Sequence, residues 1–351
     1  MENKQFHDRK IRWPRAIVAA CLLAALLFLP EFVNSYIQRI FIMIGLYAVL
    51  ALSLDLIVGH LGEISLGHAA FYAIGAFTSV FLTVKCGMNY FPAALIGACV
   101  TAVFGVLVAL LTMRMTGIYL AVTTMGFLEV VRAVILNWKP VTGGSQGISN
   151  IGKPELFGFT FNLTNGGYYY LILAYLLLTV LVTKLVLNSK MGRAFHAIRE
   201  DPLAAQFMGI DLYRYKICNF AISAFFAGLA GSFYAHFLGY INNNTFTYSI
   251  SVSILCMVIL GGMGSIKGAI IGAVILAPMS EILRAVTELM SGLPSWLISN
   301  PERWRFVIYG IILVLMMRFR PQGLLGGRSR GAYRLPAGVE RRTQNASVGS
   351  K

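Results

Sequence analysis

Long apolar blocks dominate this sequence of 351 residues, and each block is close to the roughly 20 residues that a helix needs to cross a bilayer. Only 12% of the residues are charged, about half the fraction that soluble domains carry. We therefore predict an all-α polytopic membrane protein with about 10 transmembrane helices and no soluble domain. The predicted spans are residues 16–30, 36–58, 66–84, 91–112, 117–136, 167–187, 217–240, 247–262, 269–289 and 304–318, of which 66–84 and 117–136 are candidates for broken or half-inserted elements.

The distribution of lysine and arginine predicts the orientation of these spans. When the N-terminus is placed inside the cell, most basic residues fall in cytoplasmic segments, as the positive-inside rule requires. Both termini are then cytoplasmic, and the net charge of +15 is a topology signal rather than a sign of nucleic-acid binding. No small-residue cleavage site follows the first apolar block, so we expect it to remain as an uncleaved span.

The same topology divides the chain into three parts. A basic cytoplasmic segment covers residues 1–15, and a transmembrane domain covers residues 16–318. Within that domain, residues 188–216 form a cytoplasmic loop and residues 137–167 form the longest extracytoplasmic loop. A basic cytoplasmic tail covers residues 319–351, and we expect its arginines to lie at the anionic headgroups of membrane lipid.

A very short helix with strong end signals is predicted inside the loop 188–216. Asp201 can cap the first free N–H groups, Pro202 fits the first helical position, and Gly209 can adopt the left-handed conformation that ends the helix. About two turns cannot persist in water on intrinsic propensity alone, because nucleation costs more than so few hydrogen bonds return. The helix should therefore pack against the chain or a partner, which is the form of a mechanical coupling element.

Two stretches dense in small residues, one around Gly67 and Gly75 and one around Gly264, Gly268 and Gly272, predict close helix packing. Small side chains let membrane helices approach one another closely, and these stretches also permit broken backbone. The positions that we assign to helix packing are Gly67, Gly75, Gly264, Gly268 and Gly272.

Ionisable residues inside spans are costly and usually face protein or water. Glu129 and Arg132 lie three residues apart on one face of a predicted helix, so each can neutralise the other. They either line or gate an aqueous path or form a self-compensating structural pair. Asp55 and Glu63 are expected to be solvated at the interface, with a hinge contact as the alternative. Glu281, Arg284 and Glu288 form a similar striped face on another predicted helix. As for Glu129 and Arg132, they either line a path or form a self-compensating structural set.

The sequence contains no recognisable catalytic set. There is no nucleophile with a base, no metal-ligand spacing, and no phosphate loop of the GxxxxGK[ST] type. We therefore expect that the chain is not an enzyme and that it holds no metal or cofactor. If transport uses ATP, a partner subunit must bind it. A proton relay through the midplane is not visible either, which favours an importer whose specificity lies in a separate receptor.

Several sequence blocks in a fixed order carry a resemblance to a known family. They are Gly-His-Leu-Gly-Glu-Ile-Ser-Leu-Gly-His-Ala-Ala-Phe-Tyr-Ala-Ile-Gly-Ala-Phe at 59–77, Gly-Ile-Tyr-Leu-Ala-Val-Thr-Thr-Met-Gly-Phe-Leu-Glu-Val-Val-Arg at 117–132, Asn-Trp at 137–138 with Thr-Gly-Gly at 142–144, residues 191–209, Gly-Gly-Met-Gly-Ser at 261–265 and Phe-Arg-Pro-Gln-Gly-Leu-Leu-Gly at 319–326. With these blocks, residues 36–327 resemble the permease subunits of bacterial branched-chain amino acid ABC importers, specifically the M-type partner of the two-permease pair.

The resemblance implies a role for the short helix. The segment 200–209 is similar to the EAA loop of ABC permeases, which docks into a groove on the ATPase subunit. Ala204, Ala205 and Gly209 match positions of Glu-Ala-Ala-x-x-x-Gly, whereas Leu203 stands where the glutamate belongs. The polar contacts would then come from residues just upstream, so the candidate ATPase-coupling residues are Arg199, Glu200, Asp201, Pro202, Ala204, Ala205 and Gly209.

The resemblance also implies partners and a location. We expect a second homologous permease subunit, two ATPase subunits that bind ATP and magnesium, and an extracytoplasmic solute-binding protein, in the bacterial inner membrane. The candidate pathway or gating residues are Glu129, Arg132, Gly143 and Gly144. Two rival functions stay open at this point. The same machinery could carry urea or short amides, or the chain could be a self-sufficient secondary carrier driven by an ion gradient.

Overall fold

The computed structural model describes residues 33–156, 159–163, 165–279, 281–283, 301–320 and 322–325. The predicted first span, 16–30, lies outside these residues. So do Arg284 and Glu288 of the striped face and almost all of the basic tail.

The described residues form a helical bundle with very short strands. The helices are α1 (Ser35–Asp55), which continues as a π-helical turn (Leu56–Leu61), α2 (His68–Val84), α3 (Tyr90–Leu111), α4 (Ile118–Asn137), α5 (Lys139–Thr142), α6 (Gly167–Asn188), α7 (Lys190–Glu200), α8 (Pro202–Phe207), α9 (Leu212–Leu238), a 3₁₀ turn (Asn243–Thr245), α10 (Tyr248–Gly261), α11 (Ile266–Leu276) and α12 (Pro301–Phe319). The strands are β1 (Ile148–Ser149), β2 (Glu155–Leu156), β3 (Phe159–Thr160) and β4 (Tyr240–Ile241), and β1 pairs with β4 and β2 with β3, both antiparallel.

The predicted all-α polytopic fold is confirmed. Over the described residues, seven helices are long and apolar enough to cross a membrane. Two shorter apolar helices, His68–Val84 and Val307–Met316, add to them. Each predicted span from 36–58 onward coincides with a helix as far as the described residues reach.

The central helix α9 organises the bundle. It has 27 residues and is therefore roughly 40 Å long. One end follows α8, and the other leads into β4, which pairs with β1 just beyond α5. These ends are called the α8 end and the α5 end below. Along its length α9 packs mainly against α3, α2 and α1, and α10, α11 and α6 surround this core.

Small residues bring the core helices together. Gly75 of α2 faces Gly228 of α9 so closely that a Cβ on Gly75 would run into the Gly228 backbone. A Cβ on Gly97 of α3 would lie 3.1 Å from the carbonyl oxygen of Gly75. Such approaches give membrane helices the van der Waals contact that holds them together in lipid.

The main interruption of the helical backbone lies in the small-residue stretch around Gly62 and Gly67, which the sequence indicated could be broken, and not in the two spans predicted as broken. Segments 66–84 and 117–136, the candidates for broken elements, form the continuous helices α2 and α4. The chain instead changes to a π-helical turn after Asp55 and is non-helical over residues 62–67. π-helical turns are rare overall, and those that do occur often lie at functional sites.

Candidate functional site

The short helix α8 forms where the sequence predicts it, with the predicted ends. Oδ1 of Asp201 accepts hydrogen bonds from the backbone N–H groups of Leu203 (2.9 Å) and Ala204 (3.1 Å). Pro202 occupies the first turn, and Gly209 has φ +81°, a left-handed conformation that few residues other than glycine adopt. These ends hold α8 in a defined position on the surface.

Apolar side chains of α8 point away from the bundle. Leu203 is 67% exposed, Phe207 90% and the following Met208 83%. Only Ala205 of this helix is buried against the rest of the chain. A helix of this length needs tertiary contacts to persist, so its exposed apolar face is suited to contact with another protein.

We predict that Asp201→Ala loosens α8 without disturbing the bundle. Loss of an aspartate cap costs about 1 kcal/mol, so amide hydrogen exchange at 203–207 should speed up roughly fivefold. Hydrogen–deuterium exchange of the purified chain measures this change. Glu200→Ala, an exposed neighbour that does not cap the helix, is the matched control and should leave the exchange rates unchanged. Equal exchange in wild type and Asp201→Ala would contradict the capping role.

Helix α7 anchors α8 to the bundle. Its apolar residues Phe195 and Ile198 are buried, and its exposed face carries the polar residues. At its C-terminal end, the guanidinium of Arg199 donates a hydrogen bond to the carbonyl oxygen of Gly59 in the π-helical turn. The ring of His196 meets that of His60 edge-on, with 5.4 Å between centroids. The element before α8 therefore contacts the π-helical turn directly.

Helix α9, the element after α8, reaches the same part of the chain. Lys216 Nζ lies 2.7 Å from Glu63 Oε1. Asn219 Nδ2 donates to the Leu56 carbonyl oxygen at 2.8 Å, and Ser223 Oγ donates to that of Ser53 at 2.6 Å. Sequence reasoning missed this polar stripe, although the spacing of 216, 219 and 223 places all three residues on one helix face.

The expectation that Asp55 and Glu63 are solvated is wrong. Asp55 is buried, and its Oδ1 accepts a hydrogen bond of 2.8 Å from the backbone N–H of Gly264. Glu63 pairs with Lys216, and the side chains of both are largely buried. Burial raises the pKa of Glu63, and the ammonium of Lys216 partly offsets this rise. The physical reason for the error is that α7 and α9 cover this end of α1.

The predicted pair on α4 does form. Nη1 of Arg132 donates to both carboxylate oxygens of Glu129, at 3.0 and 2.9 Å. The Glu129 side chain remains 49% exposed and that of Arg132 21%. Helix α4 packs mainly against α2, with smaller contacts to α5 and the 3₁₀ turn, so most of its outer face is uncovered in the single chain.

The other predicted gating residues lie at the α5 end. Gly143 and Gly144 have φ +73° and +62° and form the tight turn after α5. The N–H of Gly144 donates to Oγ1 of Thr142, and a Cβ on Gly144 would lie 3.0 Å from the Leu136 carbonyl oxygen near the end of α4. The turn therefore sits against the end of the helix that carries Glu129 and Arg132.

The glycines assigned to packing all lie in tight places. A Cβ on Gly67 would meet the Thr124 backbone of α4, and one on Gly264 would lie 2.9 Å from the Gly59 carbonyl oxygen. On α11, a Cβ on Gly268 would meet the Gly261 backbone, and one on Gly272 would meet the Met257 backbone, both in α10. Of the second striped face, Glu281 accepts a hydrogen bond of 3.3 Å from the Tyr36 hydroxyl.

Comparison with known proteins identifies the family. The family model described as "Branched-chain amino acid transport system / permease component" matches residues 36–317. The permease protein LivM of the high-affinity branched-chain amino acid transport system of Escherichia coli is 36% identical over 302 residues, which are 80% of this chain and 68% of that protein.

Two further relatives extend the comparison. The probable branched-chain amino acid transport permease LivM of Methanocaldococcus jannaschii is 24% identical over 82% of this chain and 93% of its own length. The permease protein LivH of the Escherichia coli system is 26% identical over 80% of this chain and 91% of its own length. The chain therefore belongs to the family of permease components of branched-chain amino acid transport systems.

Proposed function

We propose that this chain is one transmembrane subunit of an ABC importer for branched-chain amino acids, paired with a second homologous permease. Two ATPase subunits would bind ATP and magnesium on the cytoplasmic side, and an extracytoplasmic binding protein would deliver the solute. The proposal places the α8 end and both termini in the cytoplasm of a cell with this protein in its inner membrane. Support comes from the relatives, which are named as permease proteins of high-affinity branched-chain amino acid transport systems and include two kinds, LivM and LivH.

The observation that carries the coupling role is the exposed apolar face of α8. Leu203, Phe207 and Met208 form a surface that suits an apolar groove on an ATPase subunit. Arg199, Glu200 and Asp201 lie beside it and would supply polar contacts at the rim. Closure of the ATPases on ATP would displace α8, and α7 and α9 would pass the displacement to the spans.

The outer face of α4 is proposed to face the second permease or the solute path. Ionised side chains at the level of the membrane are costly when they face lipid, and the Glu129–Arg132 pair is partly exposed on this face. An aqueous path or a protein interface would remove that cost. Gly143 and Gly144 would form part of its extracytoplasmic mouth.

The decisive test of the docking surface is Phe207→Asp. A charge at the centre of an apolar contact should cost at least about 2 kcal/mol, or roughly thirtyfold in affinity. We expect that ATPase subunits no longer co-purify with the variant chain and that stimulation of ATP hydrolysis by the loaded binding protein is lost. Phe207→Leu, which keeps an apolar side chain, is the matched control and should retain both.

Two outcomes would count against this function. Unchanged co-purification of ATPase subunits with Phe207→Asp would exclude α8 as the docking surface. Leucine accumulation in liposomes by the purified chain alone would instead favour a self-sufficient carrier.

A further inference from the structure

Residues 53–63 comprise the end of α1, the π-helical turn and the two residues that follow it, and both helices that flank α8 contact them. We call this stretch the joint segment. Helix α7 contacts it through Arg199, and α9 contacts it through Lys216, Asn219 and Ser223. Since α7 precedes α8 and α9 follows it, a displacement of α8 reaches the joint segment from both sides.

The contacts from α9 suit the altered hydrogen bonding of a π-helical turn. Wider helical turns change which carbonyl oxygens find partners within the helix. Asn219 and Ser223 donate to carbonyl oxygens of the joint segment at 2.8 and 2.6 Å, and both side chains are buried. Both donors are buried, and breaking either bond would leave a polar group without its partner, so these bonds hold α9 against the joint segment.

A third contact links the joint segment to α10 and α11. Asp55 accepts a hydrogen bond of 2.8 Å from the N–H of Gly264, in the turn between α10 and α11. Gly59 packs so closely that a Cβ on it would meet both the Asp55 carboxylate and the Gly264 backbone. Arg199 lies at the same place, since a Cβ on Gly264 would be 3.0 Å from its Nη1. Helix α7, the joint segment and the α10–α11 turn thus meet at one point.

We propose that Arg199 and Asp55 are positioning residues that make α7, the joint segment and the α10–α11 turn move as one unit. Arg199 ties the unit to α8, and Asp55 carries its motion to α10 and α11. The proposal rests on the coupling function of α8. It adds that the displacement of α8 is transmitted to the bundle through residues 53–63 rather than through α9 alone.

The test uses the complex that co-purifies with the chain, reconstituted in liposomes with radiolabelled leucine. For Asp55→Ala, we expect the ATPase subunits to co-purify as in wild type and ATP hydrolysis to continue. Arg199 also lies beside the docking surface, so for Arg199→Ala both leucine transport and ATP hydrolysis are measured per assembled complex. Leucine moved per ATP hydrolysed should fall roughly tenfold, within the range of ordinary coupling energies. A side chain needed only for folding would lower the yield of complex and leave this ratio unchanged.

Two control variants distinguish a loss of transmission through the joint segment from a loss of ATPase docking. Asp55→Asn keeps an acceptor oxygen for the Gly264 N–H and should retain most of the wild-type ratio. Arg193 is exposed on the same helix as Arg199, and its side chain makes no hydrogen bond or ion pair with the described residues, so Arg193→Ala should behave as wild type. Asp55 is buried and out of reach of an ATPase subunit, so its effect cannot come from lost docking.

Each result decides the proposal. An unchanged ratio of leucine to ATP in Arg199→Ala or Asp55→Ala overturns it, and so does an equal loss in Arg193→Ala. Arg199 is exposed, so Arg199→Ala still tests the joint, in complexes that assemble, when Asp55→Ala folds too poorly to purify. Failure of the docking function would show itself differently, as intact assembly of the Phe207→Asp complex.

Discussion

Replacement of Lys216 by methionine is expected to lower the free energy of unfolding by about 3–5 kcal/mol. Its Nζ lies 2.7 Å from Glu63 Oε1 and donates to the carbonyl oxygens of Thr112 (3.0 Å) and Met115 (3.3 Å). Methionine fills a similar volume but leaves a largely buried carboxylate without its cation. Among the described residues, Oε2 of Glu63 has no hydrogen-bond partner, so the carboxylate has little else there to stabilise its charge.

Equilibrium unfolding of the full chain in mixed micelles measures this loss. The double variant Lys216→Met with Glu63→Leu removes both charges and should recover most of the lost stability. Arg214→Ala is the matched control, because the Arg214–Asp211 pair, at 2.9 Å, lies at the surface. Exposed pairs contribute less than about 1 kcal/mol. A loss for Lys216→Met no larger than that for Arg214→Ala would contradict the assignment.

The same variant has a predicted pH dependence. Burial raises the pKa of Glu63, and without Lys216 the influence that lowers this pKa is gone. The protonated carboxyl needs no cation, so the stability deficit of Lys216→Met should be small at acid pH. It should grow as the pH rises through the pKa of Glu63 in the folded state. A deficit independent of pH would mean that lost packing, rather than lost charge pairing, causes it.

The second large effect is expected for Gly75→Leu. The Gly228 backbone occupies the space where the new side chain must go, so α2 and α9 have to separate. Overpacking of a tight core costs roughly 1–3 kcal/mol, and here backbone rather than a flexible side chain must yield, so we expect the upper end or more. The same unfolding measurement applies. Reduced yield of folded chain from membranes should accompany the loss.

A glycine with open space provides the control for this variant. A Cβ on Gly310 of α12 would have nothing within 4 Å. Gly310→Ala should therefore be neutral or stabilising by up to about 1 kcal/mol, because alanine favours helix. Comparable losses for Gly75→Leu and Gly310→Ala would show that the contact between α2 and α9 is not the cause.

The sequence predicts the spans and α8 for different physical reasons. The spans follow from the length of apolar blocks, a property that no distant contact can change much. The ends of α8 follow from Asp201, Pro202 and Gly209, whose preferences act within a few residues. Both kinds of signal are local, and the structure agrees with both.

The joint segment could not be predicted in the same way. Arg199 and Gly59 are 140 residues apart, and Asp55 and Gly264 are 209 apart, so their contacts depend on how the helices pack. The interface position of Asp55 and Glu63 made solvation the simpler expectation, and it was wrong. The polar positions 216, 219 and 223 on one face of an apolar span were the available sign of a buried polar contact.

The isolation of α8 has a consequence for how such importers diversify. Only Ala205 of this helix is buried, so residues 201–209 determine its ends and its outer face almost independently of the bundle. If α8 docks an ATPase subunit as proposed above, substitutions there would change which ATPase subunit the permease binds and leave the transmembrane helices intact. A docking segment of only nine residues would allow one permease fold to work with different ATPase subunits.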